Sequence, residues 1–513
     1  MYCGWIRKGM GLAPAVCAAL GLAAGAYADS PPPTVAAATV SQWSVGLDAE
    51  RWHLPGDETA GIAGLHLRRQ FSDYVRLGVD SFAAVQGQRG GFITLGVGGE
   101  VRYPLLNALD LELGASVSAG GGRGGHELSG GGLMLRETLG VGWPVGDWRG
   151  RAGISRVDFP NGGTISGTQG YLGIERRFSG VSAEYGAASG RYTLPEPADL
   201  MPTEVGVFVR QYRVRAGSVT DAGQPQANFG LIGAEWRGML SGPWYVLIDA
   251  GGAAHGQSNG YMEIMGGAGA RLPVMPGWWL DAAVTVGAGG GGAVDTGGGA
   301  LVAARVGSDW RIGDRDVLTL GLEHMKAPSG HLAVDGVSLG VRHQFGPAEP
   351  THVSADASAD VEALPVRVRV TQQTYRAATA SWATRPIPDI GVLGVQADYD
   401  VSSHWSLTGQ GLAAYRGQSG AYMTGLVGVG FHQPLVGAVQ FEAEALGGAA
   451  GGGGVAVASG AVGQVNAGLG YEAASGLGVH ASVGRLRALH GAFAANVIGL
   501  SISYRLSLLT GTR

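Results

Sequence analysis

The side chains best suited to proton transfer or metal binding follow no catalytic pattern. None of the 12 histidines stands in a recognisable Ser-His arrangement. No H-E-x-x-H, no paired-cysteine zinc spacing and no phosphate-binding loop occurs. The glycine clusters at 120–125, 287–292 and 447–454 do not follow a strand and open a helix. Both cysteines, Cys3 and Cys17, fall in a leader-like N-terminus, so a processed chain has no disulfide and no thiolate for a metal or a nucleophile. The sequence therefore predicts no enzyme, no metal site and no cofactor.

What recurs is charge of both signs at alternate positions in apolar or small-residue runs. The first third carries His66, Arg68, Glu100, Arg102, Asp110, Glu112, Glu175 and Arg177 in this way. The second carries Glu235, Arg237, Glu263, Arg271, Asp281 and Arg342, and the third Asp398, Asp400, Glu442, Glu444 and Arg505. Residues two apart on a strand share a face, so each set lines one side of a sheet. Two uses fit: a structural lattice of ion pairs, or a selectivity lining for a polar solute with the acidic rows Asp110/Glu112, Asp281 and Glu442/Glu444 as its candidates. A second constellation is a glycine-glutamine pair followed four residues after the glutamine by an aromatic. It occurs as Gly87, Gln88, Phe92; as Gly256, Gln257, Tyr261; and as Gly417, Gln418, Tyr422. At a hairpin tip glycine supplies positive φ and glutamine bonds the turn backbone, with the aromatic in an interfacial belt. The alternative is a threefold ligand site built from Gln88, Gln257 and Gln418.

The elements that hold these residues repeat. Residues 61–104 fall on 230–273 and again on 391–434 without a gap. The invariant columns are Gly61/Gly230/Gly391, Gly64/Gly233/Gly394, Ser72/Ser241/Ser402, Ala84/Ala253/Ala414, Gly87/Gly256/Gly417, Gln88/Gln257/Gln418, Gly98/Gly267/Gly428 and Pro104/Pro273/Pro434. The copies span residues 42–178, 204–345 and 365–513, joined by linkers at 179–203 and 346–364 that read as flexible in whole or part. Within each copy the period is two: Val337, Leu339, Val341, His343 and Phe345 alternate with Ser338, Gly340, Arg342 and Gln344. Runs of about ten residues, apolar on one face and polar or small on the other, suit a lipid-facing barrel wall. Each copy has eight such runs, with short turns after strands two, four and six and longer loops at the other end.

Residues 1–28 read as a secretory signal: basic Arg7 and Lys8, an apolar run from Gly11 to Gly25, and Ala26-Tyr27-Ala28 before Asp29. That run is short of the roughly 20 residues a spanning helix needs. The net charge of −5 and the lack of a basic patch argue against nucleic-acid binding. Glycine, 94 of 513 residues, lacks the three-residue period of collagen.

The signal, the alternating strands and the final strand Gly499–Leu506 together resemble bacterial outer-membrane β-barrel proteins as a class. Leu506 and the extension to Arg513 depart from the usual aromatic C-terminal ending. The resemblance implies residence in the cell outer membrane, with its lipid and the barrel-assembly machinery as partners. The expected fold is an all-β transmembrane antiparallel barrel of about 24 strands from three tandem eight-strand repeats, wide enough for an aqueous lumen; three separate eight-strand barrels are the alternative. The expected function is a pore or export channel for a polar solute or a polymer such as polysaccharide, or else a non-conducting structural or surface-interaction barrel.

Overall fold

The computed structural model describes residues 36–106, 108–347 and 350–511; the expected signal peptide lies outside the described residues. The first copy folds into eight antiparallel strands: Thr39–Leu54, Glu58–Gln70, Val75–Gln86, Ile93–Leu106, Leu109–Gly121, Leu133–Val145, Trp148–Asp158 and Ser166–Ala183. Its first strand pairs with its second and also with its eighth, from Thr39↔Ser182 to Glu50↔Tyr171, so the sheet closes on itself. The second copy does the same with Thr203–Val214, Phe229–Met239, Trp244–His255, Met262–Met275, Trp278–Gly290, Ala300–Arg311, Asp316–Lys326 and Ala333–Phe345. The third uses Ser358–Ala377, Ile390–Asp400, Trp405–Arg416, Met423–Val436, Val439–Gly451, Ala461–Glu472, Leu477–Ala488 and Ala494–Gly511, closed from Val361↔Gly511 to Ala377↔Ala495. The single wide ring expected from the sequence is not what forms. Once the first and last strands of a copy are paired along the ring, no edge is left for a continuous wall; only the projecting ends of the last strands of the first and third copies meet, at Ser507↔Ala183 and Leu508↔Ser182. The result is three barrels, called one, two and three below.

The invariant columns mark where the backbone departs from a regular ladder. Gly61, Gly230 and Gly391 each stand at a register shift opening the second strand, and Pro104, Pro273 and Pro434 at one closing the fourth. Proline has no N–H to give a ladder, so a bulge suits it. Ala84, Ala253 and Ala414 donate their N–H groups to the carbonyls of Phe92, Tyr261 and Tyr422, each at 2.9 Å, which closes the tip of the hairpin between strands three and four. Gly87, Gly256 and Gly417 turn that tip at φ of 99°, 93° and 104°.

The connecting segments, expected to be flexible in whole or part, are built into the structure. Gly190–Thr193 pairs with Ser358–Val361, and Ala198–Leu200 pairs with Thr351–Val353. Together with the ends of barrels one and three they bury an apolar cluster that includes Tyr192, Leu194, Leu200, Val353 and Leu509. Their hydrophobic residues are few but fall on one face, and that is enough to order the segments against strand ends that project past the rings. Among the described residues no helix is long and apolar enough to cross a membrane, which says nothing of barrels.

The barrels also touch one another cyclically. The third strand of barrel one lies against the fifth and sixth of barrel two; the third of barrel two against the fifth and sixth of barrel three; and the third of barrel three against the fifth and sixth of barrel one. Close approach depends on small residues. A Cβ on Gly91 would lie 2.3 Å from Gly291 N, one on Gly121 2.5 Å from Gly420 O, and one on Gly451 2.1 Å from Gly260 N. Backbones also bond directly, Gly90 N to Gly297 O at 2.9 Å and Gly420 N to Gly130 O at 3.1 Å. Ile93, Met262 and Met423, which occupy one repeat position, gather in a shared apolar cluster. The chain is thus a pseudo-threefold trimer of barrels.

Candidate functional site

The inward face of each ring carries the charges, and the structure pairs them. In barrel one Arg102 donates to Glu175 at 2.8 Å and lies 3.2 Å from Glu112 and beside Glu100. Arg151 donates to Glu112 at 2.8 Å and to Glu100 at 3.0 Å, and Arg149 bridges Glu112 and Asp110 at 3.0 and 2.6 Å. Arg68 grips Asp80, while His66 stands between Asp80 and Asp48, 2.8 Å from each. Barrel two joins Arg237 to Glu235 and Asp281 at 2.6 and 2.8 Å, Arg271 to Glu204 at 2.7 Å, and Arg342 to Glu204 at 2.8 Å and to Asp309. In barrel three Arg367 and Arg369 share Asp398 at 2.8 and 2.7 Å and reach Glu442; Arg369 lies 3.4 Å from Glu444.

Of the lumen candidates read from the sequence, Arg68, Glu100, Arg102, Glu112, Arg237, Asp281, Asp398 and Glu442 are buried, while Asp110, Glu235 and Glu444 are half-buried. Arg177 is exposed at the turn end. The sequence reading missed Asp48, Asp80, Arg136, Arg149, Arg151, Arg210, Asp249, Arg305, Asp309, Glu323, Arg367 and Arg369. All of them stand on inward-facing positions, and reading every strand by parity would have found them. Barrel three differs in chemistry: Gln373, Gln396, Gln410, Gln464 and Asn466 replace much of the ionic lattice, with Gln396 donating to Glu444 at 2.7 Å and Asn466 to the same carboxylate at 3.0 Å. There Glu442, Glu472 and His480 bring ligand-type atoms within 4.8 Å of one another. Arg367 and Arg505 already sit on those carboxylates, so the donor set suits guanidinium and not a metal ion.

Above the lattice, at the loop end, each ring is stoppered by apolar side chains. Phe92 packs with Trp52, Phe82 and Phe159; Tyr261 with Tyr212 and Phe229; Tyr422 with Tyr375 and Phe493. Ring centroids lie 5.8 Å apart for Trp52–Phe92 and 4.9 Å for Phe229–Tyr261. The motif aromatics, expected in an outward interfacial belt, therefore point inward. Phe92 shares parity with Glu100 and Arg102 on its strand, so the side that takes the charges also takes the ring. The space left in the lattice is small, about 50 Å³ in barrel two and about 20 Å³ in barrel three.

Outward faces are apolar, with Leu47, Leu113, Leu172, Val284, Leu322, Val465 and Leu500 exposed at mid-strand. Exposed aromatics gather at the turn end: Phe71, Tyr74, Tyr103, Trp148, Trp244, Trp405 and Tyr471.

The loop-side rim carries the other candidates. Gln88, Gln257 and Gln418 are exposed there, each at a different junction between barrels, so they do not meet at one centre. Their side-chain amides bond no turn backbone among the described residues, contrary to the turn role expected of them. At the junction of barrels one and two, Arg123 lies 3.1 Å from Asp221, and His331 lies 2.6 Å from Asp295. Burial pushes Asp295 up, but hydrogen bonds from His331 and the Gly297 N–H outweigh it and hold the carboxyl below its ordinary value. Burial and the nearby Asp295 raise Asp221 despite Arg123.

The architecture defines an all-β protein of closed eight-strand barrels with polar interiors and apolar exteriors. Solved structures similar to it are bacterial outer-membrane β-barrel proteins. They include the outer membrane protein Ail of Yersinia pestis (15% identity over 28% of this chain and 99% of that one, TM-score 0.21). The outer membrane protein opdK of Pseudomonas aeruginosa matches at 12% identity over 91% and 99%, TM-score 0.21. The siderophore receptor PirA of the same organism matches at 10% identity over 93% and 81%, TM-score 0.26. No protein-family model and no curated protein sequence matches the chain.

Proposed function

We propose that this chain is exported by a signal cleaved after Ala28. It resides in the bacterial outer membrane as a rigid body of three barrels and works through its loop-side surface, without an open channel. Residence in lipid is supported by the continuous apolar exterior and by the aromatics clustered at one end, where a bilayer interface would lie. The absence of an open channel rests on one observation: each ring is of the size that side chains fill, and its charges are bonded to one another beneath an apolar stopper. Passage of a polar solute, or of a polysaccharide chain, requires a lumen that such contents occupy.

The test is planar-bilayer conductance of the purified full chain. The expected trace stays at baseline, and stable nanosiemens-scale steps would overturn the reading in favour of a pore. Recovery of the protein as a monomer without detergent would overturn its membrane placement.

A further inference from the structure

We propose that two of the three junctions between barrels on the loop-side rim are binding grooves for an uncharged, hydroxyl-rich saccharide. The inference rests on the reading of that rim as the working surface. Two cavities lie there. One, of about 550 Å³, is formed where the Gly417–Gln418 tip of barrel three meets His126 and Asn161 of barrel one. The other, of about 500 Å³, is formed where His255, Gly256 and Gln257 of barrel two meet Ser459 and His490 of barrel three. Both fall in the roughly 300–1,000 Å³ range of small-molecule sites. They are pseudo-equivalent: the same repeat hairpin forms one wall, and the neighbouring barrel's loops supply an imidazole on the other.

Three observations select the ligand. The side chains of His126, His255, Gln257 and Gln418 make no hydrogen bond among the described residues, so their donors and acceptors face the grooves unspent; the Asn161 amide donates to Tyr415 O at 2.8 Å and keeps its oxygen. The floor is backbone-like, from Gly130, Gly162 and Gly417 in one groove and Gly256 and Ala458 in the other, which lets a ligand approach the main chain closely. Net charge is balanced in the first groove, which holds both Asp389 and Arg416, and no acidic or basic side chain besides histidine lines the second. Amides and imidazoles that both donate and accept suit vicinal hydroxyls, whereas a phosphate or carboxylate would find no cluster of cations. At the third junction the corresponding His331 is held by the Asp295 carboxylate, whereas His490 of the second groove meets only the Ser459 hydroxyl, at 3.4 Å.

Such a saccharide could belong to the cell's own surface glycolipid or to a foreign glycan. The full chain in nanodiscs of pure phospholipid, titrated with neutral oligosaccharides of glucose, galactose and mannose and separately with rough and smooth lipopolysaccharide, separates these sources by ligand-observed NMR and calorimetry. The expected result is weak, saturable binding to at least one neutral oligosaccharide or to the glycan-bearing lipopolysaccharide. Gln257→Ala with His490→Ala, or Gln418→Ala with His126→Ala, should each weaken their groove by about three- to tenfold per hydrogen-bonding group removed. Gln88→Ala, the exposed amide at the third junction, is the control. All five positions lie on the rim, and unchanged heat-dependent gel mobility establishes folding. Absence of binding both to every neutral oligosaccharide and to the glycan-bearing lipopolysaccharide, or binding indifferent to both double variants, overturns the proposal. A conducting protein that still binds saccharide would refute the closed-barrel reading alone; a silent bilayer without saccharide binding would refute this inference alone.

Discussion

A cysteine pair across two barrels tests the architecture directly. A Cβ placed on Gly252, in the third strand of barrel two, would lie 2.9 Å from the Cβ of Ala449, in the fifth strand of barrel three. Disulfides span Cβ atoms at about 3.5–4.5 Å, so Gly252→Cys with Ala449→Cys needs the walls to part by about 1 Å. In a single ring of all strands those positions would stand ten strands apart, about 48 Å along the wall at roughly 4.8 Å per strand. No thermal fluctuation of a closed sheet spans that distance. Since Cys3 and Cys17 would leave with the signal, the two engineered thiols would be alone in the chain. Mild oxidation in detergent and in vesicles should convert nearly all of the protein to an internally cross-linked form. Thiol titration, intact mass and altered mobility on a heated non-reducing gel would report it. Persistence of both free thiols, while the protein keeps its folded gel mobility, would refute the cyclic packing of the three barrels.

Other perturbations follow from named contacts. Gly451→Val, added to that cysteine pair, should sharply lower the cross-link yield: its Cβ would lie 2.1 Å from Gly260 N and 2.5 Å from Gly260 Cα, backbone that cannot rotate away, while each barrel keeps its own strand spectrum. Arg102→Ala strips Glu175 of its ion-pair partner while Arg151 still holds Glu100 and Glu112, and should cost about 3–5 kcal/mol, read as a lower urea midpoint for unfolding in micelles. The bonds that depress Asp295 stabilise the loop above the ordinary carboxyl value of 3.8, and that contribution is lost as pH falls through the lower folded value. Titration of the Asp295 carboxyl carbon by NMR should therefore give a midpoint below 3.8, and a midpoint at or above 3.8 would contradict the assignment.

Much of the fold was legible because strand parity is a strong signal. Val337 through Phe345 alternate on the page as they do in the wall, and the repeat of 61–104 announces three like units. Closure was not legible. Whether Glu50 pairs with Tyr171 of its own copy or an edge strand meets the next copy depends on backbone bonding, which hydropathy does not encode. The small residues that dock the barrels, such as Gly91 and Gly451, carry no mark of that role in the sequence, since nothing local distinguishes a glycine facing lipid from one facing another wall. Among the site residues, parity placed Arg102 and Glu112 with their partners, and the same rule applied to Phe92, Tyr261 and Tyr422 would have turned them inward. The rim amides were visible as a repeated column, but their separation into three junctions required the cyclic packing.

An assembly of three identical subunits must repeat every change three times, once per rotation. Here the peptide chain itself runs from one barrel to the next, so each can drift without its siblings. Barrel three has exchanged many ion pairs for amides, and His331, unlike His126, His255 and His490, is tied to a carboxylate. Fusion thus preserves rotational geometry while releasing it from rotational sameness: one gene can give three towers of a single mould three separate trades.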